Sequence, residues 1–297
     1  MDLFAGPAFG AACALLSAAA WAVNSLLVRT LSPPFTSVTI NAVRATLGGA
    51  VLLAGVLAVG GTAAFATVDS RVVALLGISI VAASTIGDTV FFESARRLGV
   101  ARAMTLTMVY PVIAAALAAI FFAERITVPV ALGSLLVLAG VVVIVRVRER
   151  GEPAAERNYR AGLIAAGIAA LGWAVSILAL RPALGSVDAI TAQAIRLPIA
   201  GAALWVTPWA WEAGAHLRLA TRSTWIRLAA LTVMTALSSV TFVASVKHAG
   251  VTLAAVLSST APLFALPLGA LVLGERITPT AVVGTVVTVI GIAVLYL

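Results

Sequence analysis

The sequence predicts an all-α integral membrane protein with ten transmembrane helices arranged as two inverted five-helix repeats. Three observations carry that expectation: a composition no water-soluble fold of this length accommodates, apolar runs of membrane-spanning length, and a second half that repeats the first in register. The chain has 297 residues, of which 62% are hydrophobic and only 10% charged, and its mean hydropathy is +1.13. Soluble domains carry about 25% charged residues, and much of any globular exterior must face water. A bilayer removes that requirement and asks instead for about 20 apolar residues per crossing. Ten crossings with short turns occupy almost the whole chain and leave no soluble domain.

Apolar runs between charged or Pro/Gly-containing breaks place helices 1 to 10 at 8–28, 37–59, 72–95, 100–122, 128–146, 161–181, 188–209, 226–246, 251–273 and 279–297. The first unit is therefore 1–146 and the second 161–297, joined by a polar linker at 147–160. That linker belongs to the longest polar stretch, Arg146 to Arg160, which holds five Arg and three Glu. Small residues between Ala14 and Ala22 imitate a signal-peptidase site, but the preceding segment carries Asp2 and no positive charge, so helix 1 is expected to be retained.

The two units repeat each other. Trp21–Arg29 reads WAVNSLLVR, and Trp173–Arg181 reads WAVSILALR 152 positions later. Arg44 matches Arg196 and Gly49 matches Gly201 at the same offset. After a one-residue slip Phe91 matches Phe242, Pro111 matches Pro262, Gly133 and Gly140 match Gly284 and Gly291, and ERIT at Glu124 recurs at Glu275. Shared apolar composition does not produce so many matches in register. Because five is odd, the second unit enters the membrane inverted, and such a pair can exchange roles between two conformations, each open to one side.

Composition also excludes classes of function. A single cysteine, Cys13, rules out an intramolecular disulfide and any multi-cysteine metal site. The net charge of +8 sits in short turns between apolar runs, which reads as topology-setting charge and not as a nucleic-acid surface. There is no P-loop, dinucleotide fingerprint or nucleophile elbow. His216 and His248 fall in predicted loops. An intramembrane aspartyl protease needs two deep aspartates, and Asp88 has no such companion. Neither catalysis nor a cofactor or metal is expected.

The candidate binding residues are the polar and aromatic groups at membrane depth. A charge there is costly, about 2.5–3.5 kcal/mol on insertion scales. Asp88 and Glu93 are the acidic residues lying inside a predicted helix beyond its first turn. Charges present in both halves, Arg44/Arg196 and Glu124/Glu275, suit a gate or the shared scaffold. Asp88 faces Ser239 in the repeat, and so suits a cargo, proton or cation role; its alternative is pairing with a neighbouring Arg. Arg44 and Arg196 could hold a substrate carboxylate bidentately or snorkel to headgroups. Pro111 and Pro262 free backbone carbonyls and kink helices 4 and 9, beside Tyr110 and Ser259. Trp21, Asn24, Trp173 and Ser176 complete the cavity candidates, with core packing as the alternative for each. Trp205, Trp209, Trp211 and Trp225 form an interfacial belt. The glycines of helices 5 and 10 permit close helix contact, within the chain or in a homodimer.

In their order, spacing and duplication, the Trp-containing helices 1 and 6, the Arg early in helices 2 and 7, Pro111/Pro262 and Glu124/Glu275 resemble the EamA-type drug/metabolite transporter superfamily over essentially the full chain. The resemblance implies a ten-helix secondary permease of the cytoplasmic membrane, often an exporter of amino acids or other small metabolites, without fixing the solute. The smaller four-helix relatives of that superfamily use a glutamate in helix 1, where this chain has Asn24 and Ser176. The expectation is alternating-access transport of a small metabolite, with a lipid-carrier flippase or a non-transporting scaffold as alternatives. Sidedness is open: loops after odd-numbered helices hold 13 Lys/Arg against 4 on the other side, which places the linker in the cytoplasm, whereas the resemblance implies cytoplasmic termini.

Overall fold

In this computed structural model the described residues are 6–32, 35–58, 61–66, 68–122, 126–146, 155–211 and 220–295. They are helical throughout, with no strand among them. The first half contains α1 (Pro7–Leu31), α2 (Ser37–Ala58), the short α3 (Thr62–Ala66), α4 (Ser70–Ile80), a π-helical segment (Val81–Asp88), α5 (Thr89–Leu98), α6 (Val100–Thr107), α7 (Tyr110–Phe122) and α8 (Val128–Arg146). The second contains α9 (Ala155–Ala183), α10 (Ala189–Trp205), the short α11 (Pro208–Trp211), α12 (Arg222–Ser258), α13 (Ala261–Leu273) and α14 (Pro279–Leu295). Among the described residues six segments are long and apolar enough to cross a membrane: Pro7–Leu31, Ser37–Ala58, Ser70–Leu98, Val100–Phe121, Asn158–Ala183 and Arg222–Ala249. Shorter apolar helices occupy Val128–Val143, Ala261–Leu273 and Pro279–Val294.

Helix breaks differ from the sequence expectation in physically simple ways. Helix 6 begins at Ala155, so the linker's last residues are helical; Ala, Glu and Arg there are strong helix formers. The expected break between helices 8 and 9 is absent, because α12 runs unbroken to Ser258. A lone Gly250 costs a helix only about 1 kcal/mol. The break falls instead at Ser259–Thr260, ahead of Pro262, which sits in the first turn of α13. The first half does the same at Met108–Val109, ahead of Pro111 in the first turn of α7. A proline lacks the N–H that a first turn leaves unused, so these prolines start helices instead of kinking continuous ones. Gly99 (φ +86°) separates α5 from α6, a conformation that side-chain-bearing residues rarely adopt.

Packing pairs the halves with each other. α1 lies along α12, and α9 lies along the α4–π–α5 rod; α1 also meets α13, as α9 meets α7; α2 crosses α10, and α8 crosses α14. Every pairing maps onto another, or onto itself, when the halves are exchanged. The α2–α10 crossing is close at both repeat-related glycines. A Cβ on Gly49 would lie 2.8 Å from Pro198, and one on Gly201 would lie 2.7 Å from Thr46 Oγ1. The small-residue faces of helices 5 and 10 are likewise filled within the chain: a Cβ on Gly291 would stand 2.6 Å from Val137 N. Large apolar side chains such as Ile120 (73% exposed) and Leu271 (83%) face outward. Asn24, Asn41, Arg44, Gln193 and Arg196 face inward. That polarity suits a chain whose outer surface meets lipid. At the rim, Trp205 donates to Thr46 Oγ1 (2.9 Å) and Trp211 to the Trp205 carbonyl (2.6 Å).

Candidate functional site

The inward-facing polar groups converge on a cavity of about 180 Å³ between the two halves, lined from α1, α2, the π segment, α9, α10 and α12 together with the starts of α7 and α13. Its walls include Trp21, Arg44, Asp88, Tyr110, Trp173, Ser176, Arg196 and Ser239, which the sequence had singled out.

Two repeat-related arginines dominate the polar wall, at 3% and 4% exposure. On α2, Arg44 is ion-paired with Asp88 and held by Asn41 Oδ1 three residues earlier, at 2.7 Å. Its guanidinium also stacks over Phe92 (4.8 Å) and Trp21 (5.6 Å), a cation–π arrangement that supports a desolvated charge. On α10, Arg196 donates to Gln193 Oε1 (3.2 Å), Ser79 Oγ (3.0 Å) and Ser176 Oγ (3.4 Å). Its Nε has no hydrogen-bond partner. Both guanidiniums therefore turn into the cavity, and of the two readings the sequence left open, snorkelling does not describe this geometry.

Asp88 ends the π-helical segment. Such segments turn a side chain away from the regular helical register and recur at functional sites. Its second carboxylate oxygen accepts from Trp173 Nε1 at 2.9 Å. The indole comes this near because residue 87 is glycine: a Cβ there would lie 2.8 Å from the Trp173 ring. Gly172 plays the matching part on α9, where a Cβ would meet the Ala82 carbonyl at 2.5 Å. Trp173 then joins an aromatic cluster, with ring centroids 5.9 Å from Trp21, 5.4 Å from Phe91 and 6.0 Å from Tyr110. Asn41 closes this corner by donating to the Ser84 carbonyl and Thr89 Oγ1.

The other candidates stand behind the wall. Asn24 is fully buried and donates to Thr235 Oγ1 at 3.3 Å. Ser259 is buried and hydrogen-bonded with the Tyr110 phenol. Pro111 and Pro262 start the helices that carry Tyr110 and Ala261. Glu275 accepts from the Val100 amide at 2.9 Å, tying the second half to the N-terminus of α6. Glu124 lies outside the described residues. Glu93 pairs with Arg96 and Arg97 away from the cavity.

Sequence reasoning missed Gln193, Ser79, Ser84 and Thr235, which also line the cavity or hold its arginines. A signal existed for some of them. Asn41 and Gln193 stand at the same 152-residue offset as the arginines they orient, and Ser84 and Thr235 stand at the 151-residue offset. Ser79 carries no such mark, since its repeat counterpart is Ala230.

Comparison with known proteins agrees with this architecture. A solved crystal structure superposes with a TM-score of 0.64 at 19% identity, over 96% of this chain and 94% of that one, which shows a shared fold. An uncharacterized transporter of Archaeoglobus fulgidus is 28% identical over 230 residues, 77% of this chain and 78% of that protein. The EamA-like transporter family is matched twice, at residues 8–146 and again at 160–297. With both halves matched, the chain belongs to the EamA-like transporter family and is a membrane transporter, not an enzyme.

Proposed function

We propose that the protein is a secondary active permease that moves a small carboxylate-bearing metabolite, an amino acid or a related solute, across the cytoplasmic membrane by alternating access, acting as an exporter. Support for the rocking mechanism comes from the principal helix pairings, which are unchanged when the halves are exchanged, and from an odd helix count per repeat. In that scheme the halves are antiparallel, and the cavity between them opens to one side at a time. Asp88 is already engaged by Arg44 and Trp173, so any proton or cation coupling acts by loosening that pair.

One observation carries the choice of solute class. Arg196 is buried, faces the cavity, and is bonded only to neutral groups, with its Nε unpartnered. A buried guanidinium in that state is completed by a carboxylate, whose two oxygens match the planar fork of donors.

The test is counterflow in proteoliposomes made from the purified full chain. The expected result is saturable exchange of at least one small carboxylate solute, reduced more than tenfold by Arg196→Gln. Inside-out vesicles accumulating that solute would support export. No movement across a broad panel of amino acids and organic acids would overturn the reading and favour a non-transporting scaffold.

A further inference from the structure

The charges around the cavity do not balance. Among the described residues three charged side chains line it: Arg44, Asp88 and Arg196. Asp88 is the acidic member, and each of its oxygens already has a partner, one the Arg44 guanidinium and the other the Trp173 indole. Among the described residues Asp88 is ion-paired with Arg44 and not with Arg196. Two cations thus share one anion, and the cavity wall carries a net charge of about +1 in surroundings where an uncompensated charge is costly.

Resting on the reading above, and narrowing its solute class from amino acids to related carboxylates, we propose that the solute is bound as a net monoanion, a small monocarboxylate with an uncharged body, and not as a zwitterion. A single carboxylate seated on the Arg196 Nε edge completes that guanidinium and brings the cavity to neutrality. Ser258 Oγ, also buried and unpartnered, lines the same cavity and supplies a hydroxyl for the carboxylate or for an adjacent oxygen.

A zwitterion fits this wall poorly. It brings no net charge, so the cavity stays at +1, and its ammonium would have to share the Asp88 carboxylate with Arg44 and Trp173. Much of the remaining lining, Ile80, Met108, Ile177, Leu197 and Phe242 among it, is apolar and suits an uncharged body. At about 30 Å³ per water in the liquid, a cavity of about 180 Å³ has room for about six waters. A solute with a similar number of non-hydrogen atoms fits. Small 2-hydroxy, 2-oxo or N-acylated acids meet each condition.

The experiment compares one carbon skeleton in three charge states: the 2-hydroxy acid (monoanion), the amino acid (zwitterion) and the amino acid amide (cation). Binding to the purified full chain is read by quenching of tryptophan fluorescence, since Trp21 and Trp173 line the cavity, and transport by counterflow. The expected result is at least tenfold tighter binding of the hydroxy acid than of the amino acid, with that preference lost in Arg196→Gln. Arg196→Lys keeps the charge but loses the planar fork, so it retains the preference at weaker affinity and serves if the Gln variant does not fold. Equal or tighter binding of the zwitterion overturns this inference and leaves the proposed function standing. Binding of none of the three overturns the proposed function as well. A parallel arm replaces the carboxylate with chloride or bicarbonate: full competition and equal exchange by either would assign the site to inorganic anions and overturn the carboxylate assignment.

Discussion

The Arg44–Asp88 pair makes the most quantitative demand on this structure. Asp88→Asn keeps the side chain's size and its capacity to accept from Trp173 Nε1, but removes the charge that compensates Arg44. Arg44 is buried, and deleting one partner of a buried pair costs about 3–5 kcal/mol because the other charge is stranded. The rings of Phe92 and Trp21 lie against the Arg44 guanidinium and return about 1 kcal/mol, which places the expected loss near 3 kcal/mol. At about 1.4 kcal/mol per tenfold, that is more than a hundredfold in the unfolding equilibrium. Arg44→Gln alone strands Asp88 and should cost a similar amount. The double variant strands neither charge, so it should be less destabilised than the sum of the two by about 2–3 kcal/mol. Reversible unfolding of the purified protein in mixed detergent micelles, followed by far-UV circular dichroism, reads all four corners of the cycle. An Asp88→Asn loss below about 0.5 kcal/mol, or strict additivity, would refute the claim that this pair is a desolvated, mutually compensating unit. The same variant folding and transporting normally would remove Asp88 from the transport machinery.

Three further expectations follow from particular contacts. Gly87→Ala should push the Trp173 indole off Asp88, because the new Cβ would sit 2.8 Å from the ring; a shift in tryptophan emission with weakened solute binding is expected, and an unchanged spectrum would contradict the packing. Glu275→Ala removes the acceptor at the Val100 amide, and an anion at a helix N-terminus contributes about 1 kcal/mol; hydrogen exchange at that amide should rise about fivefold, and no change would show the cap to be idle. Asp188 caps α10 outside the apolar span. Burial alone would raise its pKa, but hydrogen bonds from the Thr191 hydroxyl and amide and the Ile190 amide outweigh that and hold it below the usual value. A lowered folded-state pKa stabilises above the unfolded value, about 3.9, and that stabilisation is lost as pH falls through the folded one. Asp188→Ala should therefore cost about 1 kcal/mol at neutral pH and flatten the acid limb below about pH 4, measured by the same unfolding assay; an unchanged acid limb would contradict the cap.

The sequence was legible where identity repeats and opaque where geometry decides. Arg44/Arg196 and Trp21/Trp173 were found because duplication marks them, and all four line the cavity. The same offset carries Gln193, which was overlooked because an uncharged amide draws no notice in a polar count. The partner of Asp88 was left open, since Arg44 lies 44 residues away and only the packing of α2 against the π segment selects it. The π register itself leaves no compositional trace: VAASTIGD is compatible with an ordinary α-helix. Pro111 and Pro262 begin α7 and α13 where the sequence suggests kinks in continuous helices, because whether such a residue bends a helix or begins one depends on whether the preceding turn stays hydrogen-bonded.

Antiparallel halves around one cavity are the claim beneath all the rest, and labelling from one side of the membrane addresses it without any knowledge of the solute. Thr36, between α1 and α2, and Ser186, between α9 and α10, lie in repeat-related connections and are both exposed. Each is replaced singly by cysteine in a Cys13→Ala background and challenged in right-side-out vesicles with a membrane-impermeant thiol reagent. The account predicts that one of the two labels from outside and the other only after the membrane is permeabilised. Labelling of both from the same side would contradict it.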